Sequence, residues 1–462
     1  MMMSLRRRPA LLAVALAVAA ASAQSETLDF SQCVSRALEQ NPDMAITQAQ
    51  IKQAEAATRQ AEGNRMPRLN LSLTATRSND ALNAFGLKLG QRNATFGDFG
   101  AGEFNPANPD VLSVAPRGLN HPGAVSNYNS RVELQIPVYN GGMVGQYVKQ
   151  AQAYVRAAQA GDQMARQQLV KHVLMAYLGV HTARAYIEVA SEGVAAAEEY
   201  VRITDRLHKQ GMALKSDLLS AQVNLADVKL KLAEARNAEA MALDQLHLLL
   251  GMPLAEPLDV GGPVMPEMLA GETEALRIEA MANHFGLKAL REQAEAATAA
   301  VEASRAGKRP QFNVMLRQDW NGDKPGFEAA SYTAAGVLSW TAFDGGVSQA
   351  AVDRADQTRS EQVAKLRQAT DGVAYQVGEA KRRAIEAERK VAARSLALEQ
   401  ATEAQRLVKK RYENGLGTLI ELLAAQAQLD KARAEQVAAR YQQADQRAEL
   451  KLAVGVLDAD KL

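Results

Sequence analysis

The sequence predicts a mainly α-helical chain with a small membrane-type β part, written as two homologous halves. Three observations carry this reading: a repeat covering most of the chain, long proline-free stretches with heptad-spaced apolar residues, and four segments of period-two alternation.

The repeat comes first. Residues 202–251 align without a gap on 406–455, so that Gly211 matches Gly415, Leu218-Leu219 matches Leu422-Leu423, Ala221-Gln222 matches Ala425-Gln426, and Gly251 matches Gly455. The offset is 204 residues, and it holds upstream, where Tyr139-Asn140-Gly141-Gly142 meets Phe343-Asp344-Gly345-Gly346. Further back, Arg65-Met66-Pro67 matches Lys308-Arg309-Pro310 at an offset of 243, so the first half carries 39 extra residues between its two strand signals. Each half reads as helix, strand, loop, strand, long helix, sharp turn, helix. The expected division is a leader over 1–23, a first repeat over 24–260 and a second over 261–462.

The leader is read from Arg6, Arg7 and Arg8, an apolar run to Ala20, and the small residues Ala21-Ser22-Ala23. That is the pattern of a cleaved secretory signal, too short to remain as a membrane anchor. Its removal leaves 50 basic against 52 acidic residues, which argues against a nucleic-acid partner. The single cysteine, Cys33, excludes an internal disulfide and is expected to be a buried small hydrophobe or an inert thiol; it lies too far beyond the cleavage site to carry a lipid.

A helix is expected from about Asp43 to Asn64. The stretch from Gly142 to Gly211 lacks proline and, at about 1.5 Å per residue, predicts a rod of roughly 100 Å, as does Gly346 to Gly415. From Lys215 to Leu250 the residues Leu218, Ala221, Leu225, Val228, Leu232 and Ala235 alternate spacings of three and four, a coiled-coil seam. Leu422, Ala425, Leu429 and Ala432 begin the equivalent seam. Two short helices end to end match one long helix in length, which suits a uniform rod wall. Gly251-Met252-Pro253 stops the first short series.

The strands decide between membrane and water. Leu69, Leu71, Leu73 and Ala75 alternate with Asn70, Ser72, Thr74 and Thr76; Tyr128, Val132, Leu134, Ile136 and Val138 alternate with Asn129, Arg131, Glu133 and Gln135. In the second half Phe312, Val314 and Leu316 oppose Gln311, Asn313 and Arg317, and Tyr332, Ala334, Leu338 and Trp340 oppose Thr333, Ser339 and Thr341. A lipid-facing Arg131 would cost about 2–4 kcal/mol at mid-membrane, so Arg131, Glu133 and Arg317 are expected to face a lumen. Four strands cannot close a barrel, and open edges in lipid leave unpaired amides, so the barrel must be shared between two, three or more chains. The loop 78–127 is expected on the outside, either constricting the mouth or without a set role.

These features together resemble the outer-membrane efflux protein family, the TolC-like proteins. The residues that carry the resemblance are Asn41-Pro42, the strand-opening prolines, the glycine turns leading into Asp217-Leu218-Leu219 and Glu421-Leu422-Leu423, and the terminal Gly251 and Gly455. The resemblance implies a homotrimer with a twelve-stranded barrel and a periplasmic helical tunnel in a Gram-negative outer membrane. It implies that the turns Gly211, Met212, Ala213, Leu214 and Gly415, Leu416, Gly417, Thr418 lie at the periplasmic tip and meet an adaptor. Through the adaptor the chain would serve an inner-membrane RND, ABC or MFS transporter, in efflux or type I secretion. It also implies a gate, for which Tyr412, Asp217 and Glu421 occupy family positions. Gly417 stands where the family has an arginine and Ala424 replaces a second acid, so Glu421 alone is expected to form the acidic constriction. The alternative for Glu421 and Asp217 is a solvated acid complementing a helix dipole.

No metal-ligand spacing links the six histidines, no phosphate loop follows a strand and no nucleophile elbow occurs. No enzyme activity and no cofactor are expected. The rival to a channel is a soluble periplasmic coiled-coil scaffold or adaptor without a pore.

Overall fold

The computed structural model describes residues 26–459; the leader predicted over 1–23 lies outside the described residues. The first half runs β1 (Glu26–Leu28), α1 (Phe30–Gln40), α2 (Pro42–Gly63), β2 (Arg68–Ser78), α3 (Ala81–Gly90), α4 (Arg117–Asn120), β3 (Val125–Tyr139), α5 (Met143–Lys209) and α6 (Lys215–Leu250). The second runs β4 (Leu258–Val260), α7 (Thr273–Asn283), α8 (Phe285–Ala306), β5 (Gln311–Gly322), β6 (Ala330–Ser339), α9 (Val347–Glu413) and α10 (Leu419–Val454). The four helices of one half equal their counterparts in length to the residue: 11 in α1 and α7, 22 in α2 and α8, 67 in α5 and α9, 36 in α6 and α10. Among the described residues no helix is long and apolar enough to cross a membrane.

The chain forms two compact units that cut across the repeat. One comprises residues up to 52, 156–292 and 364 onward; the other comprises 53–155 and 293–363.

In the helical unit the repeat explains the core. Helix α1 starts at a capping box, in which the Asp29 carboxylate accepts from Gln32 N at 2.8 Å and Gln32 Oε1 accepts from Asp29 N at 2.9 Å. Its buried face is Phe30, Cys33, Val34 and Ala37, the spacing of one helical stripe. That stripe packs into a cluster with Val173 and Tyr177 of α5 and Leu246 and Leu250 of α6. The second cluster uses the equivalent positions: Leu276 and Ala280 of α7, Val377 of α9, Leu450 and Val454 of α10. Burial pushes the Cys33 thiol up to about 12, so it stays protonated, as expected of an inert buried thiol. Each half then closes on itself. Gly251 (φ +68°) abuts the end of α1 at Gln40, and Gly455 (φ +81°) abuts the end of α7 at Asn283 and His284.

The sheet unit is a four-stranded antiparallel sheet in the order β2-β3-β5-β6. Pro67 and Pro310 precede β2 and β5, and the paired glycines 141–142 and 345–346, all at positive φ, turn the chain from the second strand of each half into its long helix. At Gly141 the requirement is steric as well, since a Cβ would lie 2.5 Å from the Ala306 carbonyl oxygen. Strands β2 and β6 are the two edges, 11 and 10 residues long.

Candidate functional site

Two regions hold the residues singled out by sequence. In the helical unit these are the two hairpin turns. Helix α5 ends in a Schellman motif: Met212 N donates to Leu207 O at 2.9 Å and Gly211 N to His208 O at 2.9 Å, with Gly211 at φ +76°. Helix α9 ends identically, with Leu416 N to Arg411 O at 2.9 Å, Gly415 N to Tyr412 O at 3.0 Å and Gly415 at φ +72°. The turns lie side by side, because a Cβ on Gly415 would stand 2.8 Å from Met212 Cε. Around them Met212, Leu214, Leu416 and Ile420 are 60%, 69%, 71% and 80% exposed, a small apolar patch at the turns. Ala213 and Gly417 are half-buried within it, and Thr418 is exposed.

Both acids begin helices. The Asp217 carboxylate accepts from Leu214 N at 3.2 Å. Glu421 accepts from Thr418 N at 3.1 Å and returns its own N–H to Thr418 Oγ1 at 3.2 Å, a full capping box. One carboxylate oxygen of each is thereby occupied, and Glu421 remains exposed. Tyr412 is different. It is buried among Tyr200, Ile203, Leu207, Ala221, Leu419 and Leu422, and its hydroxyl bonds Thr204 Oγ1 at 2.8 Å. Burial raises its phenol above the ordinary value, with the Asp217 charge adding to the effect.

Sequence reasoning missed a polar chain behind the turns. Tyr200 donates to Gln426 Oε1 at 2.6 Å, Gln405 donates to that same oxygen at 3.1 Å, and Gln426 Nε2 donates to Asp430 Oδ1 at 2.8 Å. Arg433 stands 3.9 Å from Asp430 and 2.8 Å from Glu192. Burial holds the Asp430 carboxyl above its usual range despite these partners. Gln426 belongs to the repeated Ala-Gln pair, yet its counterpart Gln222 is exposed. Identical local sequence gave no signal of that difference.

In the sheet unit the register puts one parity on each face. Asn70, Ser72 and Thr74 of β2 pair with Glu133, Arg131 and Asn129 of β3, which pair with Arg317, Asp319 and Asn321 of β5. Arg317 in turn pairs with Thr333 of β6. The opposite face carries Leu69, Leu71 and Leu73, which are 62%, 72% and 61% exposed, then Val132, Leu134, Leu316, Tyr332 and Leu338. The structure therefore brings Arg131 and Arg317 together through a residue the sequence reading overlooked. Asp319 accepts from Arg131 Nε at 2.7 Å and lies 2.8 Å from Arg317 Nε. Glu133 shares this face, in register with Arg317. The signal for Asp319 was its place two residues after Arg317, on the same parity.

Comparison with known proteins agrees with this architecture. The family model described as "Outer membrane efflux protein" matches residues 33–252 and 276–456. Protein CyaE of Bordetella pertussis is 29% identical over 348 residues, covering 72% of this chain and 73% of that protein. The alkaline protease secretion protein AprF of Pseudomonas aeruginosa is 26% identical over 359 residues, covering 76% and 74%. Among solved structures the fold is shared with CusC, at a TM-score of 0.76 with 16% identity over 94% of both chains. With the matched segments taking in both halves of the repeat, the chain belongs to the outer membrane efflux protein family.

Proposed function

We propose that the chain is one of three identical protomers of a passive outer-membrane exit duct. A periplasmic adaptor and an inner-membrane transporter would supply cargo and energy. The observation that carries this reading is the sheet: four strands, one exposed apolar face, one polar face, and two long unpaired edges. Such a sheet is a poor fit to water, because β2 exposes a row of leucines and both edges invite pairing. Closed with copies of itself in lipid, it satisfies its amides and hides its apolar face. Family membership supports the same assembly. The soluble scaffold gives no reason for this sheet.

Cargo release would be controlled at the hairpin turns. Glu421 would supply an acidic ring by symmetry, with Asp217 near it and Tyr412 bracing the hairpins from within. The exposed apolar patch of Met212, Leu214, Leu416 and Ile420 would be the adaptor-contacting surface, together with Gly211, Ala213, Gly415, Gly417 and Thr418. Arg131, Glu133 and Arg317 would line the barrel lumen. A relative named for protease secretion favours a polypeptide cargo and type I secretion over drug efflux.

Planar-bilayer recording of the detergent-purified protein tests this. Small cation-preferring steps are expected. Glu421→Gln keeps the capping box and removes the charge, so it should weaken cation preference without unfolding the tip. A protein that emerges in osmotic-shock fluid and stays silent in the bilayer overturns the channel reading.

A further inference from the structure

The first-half loop carries the 39 residues that the second half lacks, and it is built rather than loose. Within it Phe85 packs edge-on against Phe99 at 4.7 Å, Lys88 pairs with Asp98, and Ala84 is fully buried. The Glu103 carboxylate accepts from Arg117 N at 2.6 Å and Gly118 N at 2.8 Å, which ties the far end of the loop back to its middle.

Its position matters more. Gln91, just after α3, donates to Ser126 O at 2.7 Å and to Asn127 Oδ1 at 2.9 Å. A Cβ on Gly90 would stand 3.7 Å from Asn321, and Arg92 donates to the Ala330 carbonyl. Asn127 and Asn321 both lie on the polar face of the sheet. From them a ladder of side chains runs down that face: Asn127 to Asn321 at 3.0 Å, then Asn129 to Asp319 at 3.1 Å. The second-half hairpin goes the other way. Its Gly326 carbonyl accepts from Ser130, and its Phe327 stacks edge-on against Trp320, both on the apolar parity.

We propose that the segment between β2 and β3 is an inward-folded constriction, fixed over the lumenal face by Gln91 and Arg92, which excludes bulky solutes from the outer mouth. This rests on the channel reading above. In a twelve-stranded barrel, strands about 4.8 Å apart and tilted about 40° leave roughly 24 Å between backbone walls. Three copies of a helix about 10 Å across occupy most of such a rim. The occupant facing each loop is the same loop of the neighbouring protomers, because the free edges of the sheet close only with further copies of the chain. That explains why Leu82, Phe96 and Phe104 stand exposed in one protomer and would meet around the axis.

The test is thiol labelling of intact Gram-negative cells from outside, with Ser72→Cys on the lumenal parity and Leu112→Cys on the loop. Cys33 is buried and does not compete. A small impermeant maleimide should label both sites. A polyethylene-glycol maleimide too bulky for porins should label Leu112→Cys readily and Ser72→Cys about ten-fold or more slowly, as a narrowed pore requires. Adding Gln91→Ala with Arg92→Ala, or replacing 81–120 by a short Gly-Ser turn, should restore bulky labelling of Ser72→Cys. Equal bulky labelling of the two sites in the intact loop overturns the proposal. Slow labelling that persists in either loop variant does so too, because the barrel wall is then the filter. If even the small reagent misses Ser72→Cys, the lumenal reading of the sheet fails, and with it the channel.

Discussion

Replacing either half-terminal glycine by alanine should destabilise the protein far more than the same change at a hairpin tip. Gly251 and Gly211 have nearly the same backbone, φ +68° and +76°. A side chain in that left-handed region costs about 1–2 kcal/mol at either site. The surroundings differ. At Gly211 a Cβ meets nothing within 4 Å, whereas at Gly251 it lies 2.8 Å from the Gln40 carbonyl oxygen and 3.1 Å from its carbon. Those atoms are backbone at the end of α1 and cannot swing aside, so overpacking adds about 1–3 kcal/mol. The expectation is a total of roughly 2–5 kcal/mol for Gly251→Ala against 1–2 for Gly211→Ala. Gly455→Ala should behave like Gly251→Ala, because its Cβ would lie 2.9 Å from His284 Cα. Urea unfolding of the detergent-purified protein, followed by helical circular dichroism, measures the difference. Equal midpoints for Gly211→Ala and Gly251→Ala would refute the idea that each half is locked by close approach of its terminal glycine to its first helix.

Gln426→Ala takes away the acceptor of the buried Tyr200 hydroxyl, which keeps only the bond it accepts from Gln405, and should cost about 1–3 kcal/mol, whereas Gln222→Ala at the matched exposed site should stay within about 0.5 kcal/mol, both by urea midpoint. Asp430→Asn should stabilise the protein at neutral pH. Burial raises the folded-state value of this acid, so the fold favours its protonated form, and that advantage is lost as pH rises through the folded value. Arg433, Lys231 and Glu192 face the same group; the gain should shrink toward zero near pH 4, and a gain independent of pH would contradict the assignment. Tyr412→Phe removes one buried hydrogen bond to Thr204 and should cost about 0.5–1.5 kcal/mol in the same unfolding assay. Asp319→Ala leaves Arg131 and Arg317 without their shared counter-charge; after discounting for their partial exposure it should cost about 1–3 kcal/mol, read as an earlier urea midpoint.

Much of the architecture was legible because it is periodic. Alternation placed the faces of β2 and β3 correctly, the glycine pairs located the turns, and the two offsets located the inserted loop between β2 and β3. What escaped were contacts between residues far apart in the chain. Parity sets Asp319 beside Arg317, but nothing local to it says that Arg131 converges on it as well. Nothing in Ala425-Gln426 distinguishes it from Ala221-Gln222, because the burial of one glutamine comes from Tyr200 and Gln405 on other helices. Tyr412 was legible as a position and not as an environment: the family resemblance places it beside a turn, but only the packing of four helices makes it a core residue. The inward fold of the loop depends on Gln91 and Gly90 finding Asn127 and Asn321, a pairing no periodicity encodes.

The agreement in helix length between the halves limits how such a chain can change. Each residue inserted in a helix advances it by about 1.5 Å and turns everything beyond by about 100°. One deletion in α5 would rotate its seam away from α6 and spoil the match between Val173 and the core beneath it. The loop absorbed 39 residues with no such penalty, since it continues no helical register and its ends are anchored in the sheet. Length variation in relatives should therefore collect at the hairpin crowns of the sheet, while the rods behave as matched gauges that tolerate substitution readily and insertion hardly at all.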